Sequence, residues 1–307
     1  MSPVGYFFNI LKTLIESIKL KGDFVMLWEN LREEEFYEAI ERSNKVCVVP
    51  FGCIEKHGQH LPVGTDAQTA YYIAKEATKL EDVVVFPPLY FGDVLGLYMW
   101  KGTIAFSSEL LQKMLTELCA EIARNGFKKI LLLNGHGGNI ALISNFLRSV
   151  AKDKKDYVVV SRNEFSYNHF DLVRDIDNGE SFPELSESDI EYLREAVEGN
   201  YIYGHGDILE TAILNVINPE SVDMSKADSE DGTDQHITDD FRKFSMPGNF
   251  WLTDFPNSLS GEKLERANAN IGKALLRKRI AMQAEACRIL KQDDRVLEWQ
   301  QDWCNKW

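Results

Sequence analysis

Three short segments of the 307-residue chain contain side chains that bind metal ions in proteins. The first, FGCIEKHGQHLPVGTDAQTA, starts where an apolar strand pattern ends and runs into a helical pattern. Glu55 and His57 are two residues apart, so in extended backbone their side chains project from the same face. Asp66 follows a loop that contains glycine and proline, just before the helix begins. This spacing predicts that two carboxylates and an imidazole converge at the carboxyl edge of a sheet, where ligands bind in α/β folds.

The second segment, KILLLNGHGGN, ends an apolar strand pattern with a histidine between glycines. Gly137 and Gly138 let the backbone turn tightly and let a metal ion or substrate approach His136 closely. Their backbone N–H groups, at the start of the following helix, could stabilise a developing oxyanion. A glycine-rich turn with an incidental histidine is the alternative that this segment alone leaves open.

The third segment, YGHGDILETAILNVI, places His205 in a loop and Glu210 in the first turns of a helix. Glu210 is either a fifth metal ligand or an acid favoured near a helix N-terminus. His205 is either an acid–base catalyst or a capping residue. A further acidic segment, EDGTDQHITDD, lacks flanking strands and is interpreted as a solvated loop, with a surface cation site as the alternative. Its candidate ligands are Asp231, Asp234, His236, Asp239 and Asp240.

These segments are positioned by an alternation of apolar runs and helical patterns, which indicates β-α-β units and a largely parallel sheet. The runs are uniformly apolar rather than alternating, as strands covered on both faces must be. Apolar residues three and four apart predict the helices between them. The predicted strands are 46–52, 83–88, 129–135 and 157–161, and the predicted helices are 67–80, 108–126, 188–197 and 260–291.

The same patterns predict the domain organisation. Residues 1–40 are predicted to form a helical extension, and residues 41–292 a single α/β catalytic domain. Two polar segments, at about 163–201 and 225–256, lose the strand–helix rhythm and are predicted to be insertions over the site. Residues 293–307 are left as a tryptophan-rich tail.

The two ends of the chain each predict one amphipathic helix. The apolar pattern at 6–18 has helical spacing and is too short to span a membrane, so we expect it to dock on the domain or on another subunit. Trp299, Trp303 and Trp307 are four residues apart and share a helical face. They form either a subunit contact or an intramolecular packing surface.

Composition argues against several classes of protein. The 48 acidic and 34 basic residues give a formal charge of -14, and no basic stripe stands out, which argues against nucleic acid as a partner. The five cysteines show no C-x-x-C spacing, which argues against a disulfide framework and against a cysteine-based zinc site. Free thiols indicate a reducing compartment, so we expect a cytoplasmic location.

The three metal-type segments together resemble the creatininase family. The family pattern reads approximately G-x-x-E-x-H-G-x-H-L-P-x-x-T-D, then N-G-H-G-G-N, then H-x-G-x-x-E-T. This chain has GCIEKHGQHLPVGTD, NGHGGN and HGDILET in the same order, with a family-like GTI at 102–104. The resemblance spans roughly 46–218. It implies a three-layer α/β/α sandwich with a mostly parallel sheet, a two-metal hydrolytic centre that acts on a small molecule, and a homo-oligomer, often a hexamer.

The resemblance also implies roles for individual residues. His205 matches the family histidine that transfers protons, and we expect it, with Glu210, to be catalytic. Carboxylates with imidazoles suit divalent ions, with Zn²⁺ ranked first and Mn²⁺ or Fe²⁺ as alternatives. Two ions about 3.5 to 4 Å apart hold a bridging hydroxide and polarise a carbonyl at the same time. The implied ligands are Glu55, Asp66 and His136 for one ion, and His57, the bridging Asp66 and Glu210 for the other.

Departures from the family pattern bear on the substrate. The enzyme that opens creatinine carries a tyrosine and a glutamate after the histidine of the second motif, where this chain has Gly137 and Gly138, so creatinine is not the expected substrate. Lys56 replaces the usual glutamine. Tyr98 and Trp100 lie where many relatives have a histidine-containing stretch, and they form either an aromatic wall for a ring or sugar, or core. The candidate substrate contacts are His60, Tyr98, Trp100, Gly137, Gly138 and Asn139.

Relatives with the glycine form of the motif include hydrolases of formamido-pyrimidine intermediates, a peptidase of cofactor maturation and a hydrolase that opens an oxidised inositol ring. We therefore expect a metal-dependent hydrolase that cleaves a C–N bond in a small cyclic amide or formamide. One alternative is a ring-opening C–C hydrolase of an oxidised inositol or sugar-like ketone. The other is a metal-binding protein without catalytic activity.

Overall fold

The computed structural model describes residues 25–199, 204–246 and 250–305, apart from the side chains of residues 303 and 304. The helix predicted at 6–18 and the indoles of Trp303 and Trp307 lie outside these described residues. In the part of the chain that is described, no helix is both long enough and apolar enough to cross a membrane. The division into extension, catalytic domain and tail stays a prediction.

The sheet is parallel, and its spatial order is β2-β1-β3-β4. Its strands are β1 Val46–Phe51, β2 Val84–Val85, β3 Lys129–Asn134 and β4 Val158–Asn163. Phe51 pairs with Asn134, and Asn134 pairs with Asn163. The three long strands therefore end at the same level, so the segments that follow them start side by side at one edge.

Helices cover both faces of the sheet. The α-helices of the described residues are α1 Glu35–Arg42, α2 Thr65–Ala77, α3 Ser108–Arg124, α4 Asn139–Lys152, α5 His169–Asp177, α6 Glu187–Glu198, α7 Ile208–Ile217, α8 Asp239–Lys243, α9 Trp251–Asp254, α10 Ala269–Gln292 and α11 Arg295–Asn305. Helices α2, α7 and α10 pack on one face, and α3 and α4 pack on the other.

Alternate residues of the central strands enter two separate cores. Val46 and Val48 of β1 belong to the core under α2, α7 and α10, whereas Cys47 and Val49 belong to the core under α3 and α4. Every residue of β1 and β3 is buried, which is why these strands show no polar alternation. The predicted three-layer α/β/α sandwich with a parallel sheet is confirmed.

The last long helix begins later than its periodicity predicted. Lys263 has left-handed backbone with φ of 56°, and a short 3-10 turn follows at Leu264–Arg266. The side chain of Asn268 then accepts hydrogen bonds from the backbone N–H groups of Asn270 and Ile271, which fixes the start of α10. The prediction of a helix was therefore wrong for residues 260–268.

Two other elements differ from their predictions. The segment 163–201 contains α5 as well as the predicted α6, and α5 starts with a capping box formed by Asn168 and Asp171. The apolar run at 83–88 shortens to the two-residue strand β2. Pro87 and the proline after it have no backbone N–H to donate, so the strand cannot continue through them.

Candidate metal centre

The loop after β1 brings acidic and imidazole side chains into the interior at the carboxyl edge of the sheet. Glu55 N–H donates to the carbonyl of Val63 at 3.0 Å, which folds the loop back on itself. Gly52 passes so close to α2 that a Cβ at this position would lie 2.3 Å from the backbone nitrogen of Ala67. This close approach places Asp66, in the first turn of α2, against the end of β1.

The first group of side chains consists of Glu55, Asp66 and His136. His136 Nδ1 lies 3.0 Å from Glu55 Oε1 and 2.9 Å from Asp66 Oδ2. All three residues are buried, with relative exposures of 0%, 3% and 8%. The loop after β1, helix α2 and the turn after β3 each supply one member, so the group depends on the tertiary fold.

The second group shares Asp66 with the first. Asp66 Oδ1 lies 2.8 Å from His57 Nε2, and His57 Nε2 lies 3.7 Å from Glu210 Oε2. In each group the potential ligand atoms lie within 4.8 Å of one another. The structure thus brings together all five of the predicted metal ligands, with the two oxygens of Asp66 facing different groups.

His205 lies beside both groups. Its ring stacks on the ring of His57 at a centroid distance of 4.3 Å and forms a T-shaped contact with the ring of Trp251 at a centroid distance of 5.2 Å. His205 Nδ1 lies 3.5 Å from Glu55 Oε1. With Glu55 and His57 this histidine forms a third group of potential ligand atoms, one that does not include Asp66.

Each of the three histidines has one ring nitrogen beside a backbone carbonyl. His57 Nδ1 lies 3.1 Å from Glu55 O, His136 Nε2 lies 2.9 Å from Asp93 O, and His205 Nε2 lies 2.6 Å from Lys56 O. A ring N–H that donates to such a carbonyl leaves the other nitrogen as a lone pair aimed at the carboxylates. Histidines that bind metals have this pattern, because the outer hydrogen bond fixes the tautomer.

Glu55 provides an independent test of whether these residues fit metal ions. Both of its carboxylate oxygens are buried, and neither accepts a hydrogen bond. A buried carboxylate without such partners costs several kcal/mol of desolvation free energy unless a cation compensates it. The donor set of carboxylates and imidazoles therefore fits divalent metal ions.

Burial and neighbouring charges shift the pKa values of the group. Burial and, to a smaller extent, the adjacent His57 lower the pKa of His205 to about 4. Burial would also lower the pKa of His57, but Asp66 and Glu210 outweigh it and raise that pKa to about 10. Burial raises the pKa of Glu210 to about 8 although His57 opposes this. His57 and Glu210 thus hold protons at pH 7, and a bound divalent cation displaces such protons.

The two groups open into a cavity of about 710 Å³. Both predicted insertions contribute to its wall, with Phe165 and Phe170 from one and Trp251 from the other. Glu164 and Arg279 add a buried ion pair with an N–O distance of 2.7 Å. A cavity of this size, apolar over much of its wall, suits a small molecule.

Comparison with known proteins identifies the family. The creatininase family model, described as creatinine amidohydrolase, matches residues 29–287, which is most of the chain. The chain belongs to the creatininase family. A candidate creatinine amidohydrolase from Bacteroides fragilis superposes with a TM-score of 0.68 at 23% identity, covering 89% of this chain and 99% of that one. A creatininase structure in a manganese form superposes with a TM-score of 0.62 at 21% identity, covering 87% and 99%.

Three curated relatives of this chain differ in the reactions that their names describe. Creatinine amidohydrolase of Pseudomonas putida is 21% identical over 63% of this chain and 72% of its own length. Mycofactocin precursor peptide peptidase of Mycolicibacterium smegmatis is 31% identical over 32% of this chain and 41% of its own. A 2-amino-5-formylamino-6-ribosylaminopyrimidin-4(3H)-one 5'-monophosphate deformylase of Methanobrevibacter smithii is 27% identical over 40% and 53%. Together with the family match, they make this chain a metal-dependent amidohydrolase.

The glycines after His136 distinguish this chain from the creatinine-opening pattern of the creatininase family. A Cβ at Gly138 would lie 2.3 Å from Asp93 O and 2.4 Å from His136 Nε2, so no larger residue fits without a shift. A Cβ at Gly137 would meet no atom within 4 Å. Glu210 approaches the second group from α7 instead.

The predicted substrate contacts fall into two sets. Gly137 and Gly138 line the cavity. The other four lie elsewhere: the ring of His60 bonds to the hydroxyl of Thr211 at 2.8 Å, and Asn139 accepts from Asp93 N–H at 2.8 Å. Tyr98 is 69% exposed, and Trp100 lies under the Lys56 ammonium at 4.1 Å. His60, Tyr98, Trp100 and Asn139 are absent from the cavity wall of this chain.

Several residues of the site were missed by the sequence analysis. Cys53 lies with the first metal-type group, its Sγ 3.1 Å from Asp66 Oδ2. The sequence does contain an indication of this, because Cys53 is two residues before Glu55 and in extended backbone the two side chains project from the same face. Glu164 and Arg279 are 115 positions apart and gave no comparable signal.

The rival acidic segment at 230–240 forms surface ion pairs instead. Arg242 pairs with Asp234 at 2.7 Å and also binds Asp254, while Lys243 pairs with Asp240 at 2.7 Å. Within the described ranges, every group of at least three potential ligands lies at the sheet edge. The solvated-loop interpretation therefore fits this segment better than a cation site.

Proposed function

We propose that this chain is a two-metal hydrolase that cleaves the C–N bond of a small cyclic amide or formamide. The observation that carries the proposal is the pair of side-chain groups that share Asp66 at the end of a cavity. Similarity to a formamide deformylase and a peptidase supports amide chemistry. The cavity volume of about 710 Å³ favours a small substrate.

In this proposal Glu55, Asp66 and His136 hold one ion, and His57, Asp66 and Glu210 hold the other. When bound, the two ions supply Lewis acidity toward the scissile carbonyl and lower the pKa of water. Creatininase structures exist in Zn–Zn and Mn forms, which supports Zn²⁺ first and Mn²⁺ next, with Fe²⁺ as a further alternative.

Around that centre the side chains orient the substrate and move a proton. With its Nε2–H on the carbonyl of Lys56, His205 can accept a proton at Nδ1 and deliver it to the leaving nitrogen. Glu55 Oε1, 3.5 Å away, stabilises the imidazolium that forms. Phe165, Phe170 and Trp251 exclude water and offer flat surfaces to a ring.

Creatinine does not fit this proposal well, because Gly138 leaves no carboxylate after His136 and no room for one. Glu210 is positioned as a ligand by the Gly206 N–H, which donates to its Oε2 at 2.7 Å. The separate catalytic role of Glu210, the homo-oligomeric or hexameric assembly and the cytoplasmic location stay predictions. Size-exclusion chromatography with light scattering measures the assembly directly.

Metal analysis combined with a substrate screen tests the proposal. We expect about two divalent ions per chain and hydrolysis within a panel of formamides, lactams and cyclic polyhydroxy ketones. A protein that binds two ions and turns over no amide would contradict the amide assignment. Turnover of a ketone alone would favour the C–C alternative, and absence of both metal and turnover would reject the hydrolase.

The variant His205→Ala isolates the proton-transfer step. We expect turnover to fall by about 10²- to 10⁴-fold, the usual contribution of a general acid–base residue, while both ions remain bound. His236→Ala is the matched control, since His236 is exposed and lies in the acidic surface segment. Near-normal turnover in His205→Ala would remove His205 from the mechanism.

A further inference from the structure

Cys53 lies in the same alternating segment as two of the proposed ligands. Cys53, Glu55 and His57 occupy every second position after β1, and all three side chains are directed into the site, where each joins a group of potential ligands. Cys53 is completely buried. A thiol at this place is therefore neither a surface group nor part of the apolar core under the helices.

The sulfur of Cys53 is close enough to the first group to share a metal ion with it. Cys53 Sγ lies 3.1 Å from Asp66 Oδ2, the same oxygen that faces His136 Nδ1 at 2.9 Å. One atom from each of Cys53, Glu55, Asp66 and His136 lies within 4.8 Å of the others. Ligand atoms of a tetrahedral zinc site are about 3.3 to 3.8 Å apart, so small outward shifts suffice.

Glu55 is a second and independent sign of a cation at this point. Its two oxygens accept no hydrogen bond, although the side chain is only 1% exposed. The thiol can donate to Asp66, whereas the ring nitrogen beside Glu55 is His136 Nδ1, at 3.0 Å from Oε1. A cation between Glu55, Asp66 and Cys53 would compensate all three groups.

We propose that Cys53 is a direct ligand of the first metal ion, which makes that site a four-residue thiolate, carboxylate and imidazole site. This inference rests on the two-metal centre proposed above. The metal–sulfur bond replaces the S–H bond, and the thiol proton leaves to solvent. A soft thiolate favours Zn²⁺ over Mn²⁺ at this position, whereas the second site, with oxygen and nitrogen ligands alone, tolerates either.

The competing role for Cys53 is to position Asp66 by an S–H hydrogen bond. The two roles differ in a measurable way, because a serine hydroxyl reproduces the hydrogen bond but is a poor zinc ligand. Loss of a hydrogen-bond partner of a metal ligand costs about 10- to 100-fold in metal affinity. If Cys53 only positions Asp66, Cys53→Ser should keep its metal affinity, because the serine hydroxyl keeps the hydrogen bond.

X-ray absorption spectroscopy of the zinc-loaded wild-type protein decides whether sulfur is bound. We expect a zinc–sulfur shell at about 2.3 Å beside nitrogen and oxygen at about 2.0 to 2.2 Å, with about half a sulfur per zinc ion. Two bound zinc ions with nitrogen and oxygen shells alone would overturn the role of Cys53 and leave the hydrolase proposal intact. Failure to bind zinc at all would overturn both.

Variants assign the sulfur to Cys53. Cys53→Ser should lose the sulfur shell and at least about tenfold of its preference for Zn²⁺ over Mn²⁺ in competition titrations. Cys119→Ala is the control, since Cys119 is an equally buried thiol inside the core under α3 and α4. A sulfur shell that survives Cys53→Ser, or one that disappears in Cys119→Ala, would reject the assignment.

Discussion

Gly138 lies at one of the most tightly packed positions of the site. The methyl group of Gly138→Ala would collide with the carbonyl of Asp93 and the ring of His136. We expect the His136 N–H to lose its 2.9 Å bond to that carbonyl, with metal affinity falling about 10- to 100-fold. Overpacking should also lower the free energy of unfolding by about 1–3 kcal/mol. Metal titration and urea unfolding measure the two effects.

Gly137 provides the control for this prediction. Its missing Cβ faces open space, so Gly137→Ala should change the free energy of unfolding by less than about 0.5 kcal/mol. Equal losses of metal affinity in both variants would mean that backbone flexibility, and not the contact with His136, explains the glycine at 138.

Residue spacing predicted part of the site, for a physical reason. Glu55, His57 and His136 directly follow strands whose ends the parallel register aligns, so sequence position translates into spatial position. Cys53 follows the same rule, although its spacing to the other cysteines gives no sign of a metal site. His60, predicted as a substrate contact, bonds to Thr211, which is 151 positions away and therefore invisible in a local pattern.

At the level of elements, the start of α7 determines where Glu210 lies. Asp207 caps this helix by accepting from the N–H of Glu210 at 2.9 Å. In protein freed of metal with a chelator, we expect Asp207→Ala to lower the free energy of unfolding by about 0.5–2 kcal/mol, because the first turn of α7 loses its cap. Urea unfolding measures the change, and zinc titration should show weaker binding of one ion.

Asp207→Asn is the matched variant because its amide oxygen keeps the capping bond. Burial raises the pKa of Asp207 to about 6, so keeping this carboxylate ionised inside the fold at pH 7 costs desolvation free energy. The asparagine removes the buried charge, so Asp207→Asn should be at least as stable as the wild type. Equal destabilisation by alanine and asparagine would show that the charge, and not the cap, is what matters.

Element boundaries were predictable where local chemistry alone decides them. The periodicity of α3 and the apolar runs of β1 and β3 gave bounds within two residues of those observed. The start of α10 was not predictable from periodicity, because the apolar residues at 259 and 264 pack in the core without being in an α-helix. There the cap at Asn268, and not the hydrophobic pattern, fixes where the helix begins.

On the scale of the whole molecule, the cavity is assembled from parts that are distant in the sequence. Arg279 of α10 bonds to Glu164 after β4 and to the carbonyl of Tyr167, which fastens the turn before α5 to the last long helix. In the sequence, the segment 163–201 interrupts the alternation of strand and helix patterns, but only the fold shows that it forms a wall of the cavity. Such packing depends on α5 and α10, which meet in one core on the same face of the sheet, and no local pattern encodes it.

Because the proposed metal ligands are also far apart in the sequence, we expect the global stability to depend on the metal ions. Their ligands come from the loop after β1, from α2, from the turn after β3 and from α7, so bound metal cross-links four parts of the fold. Free zinc at 100 times its dissociation constant should stabilise the folded state by about 2.7 kcal/mol per site.

Differential scanning calorimetry with and without a chelator measures this linkage. We expect chelation to lower the Tm by roughly 5 °C or more, and added zinc to restore it. Asp66→Asn should abolish the dependence on zinc, since Asp66 faces both groups. A Tm that is insensitive to zinc while two ions remain bound would mean that the ions bind folded and unfolded chains equally, and therefore not at a site that the fold assembles.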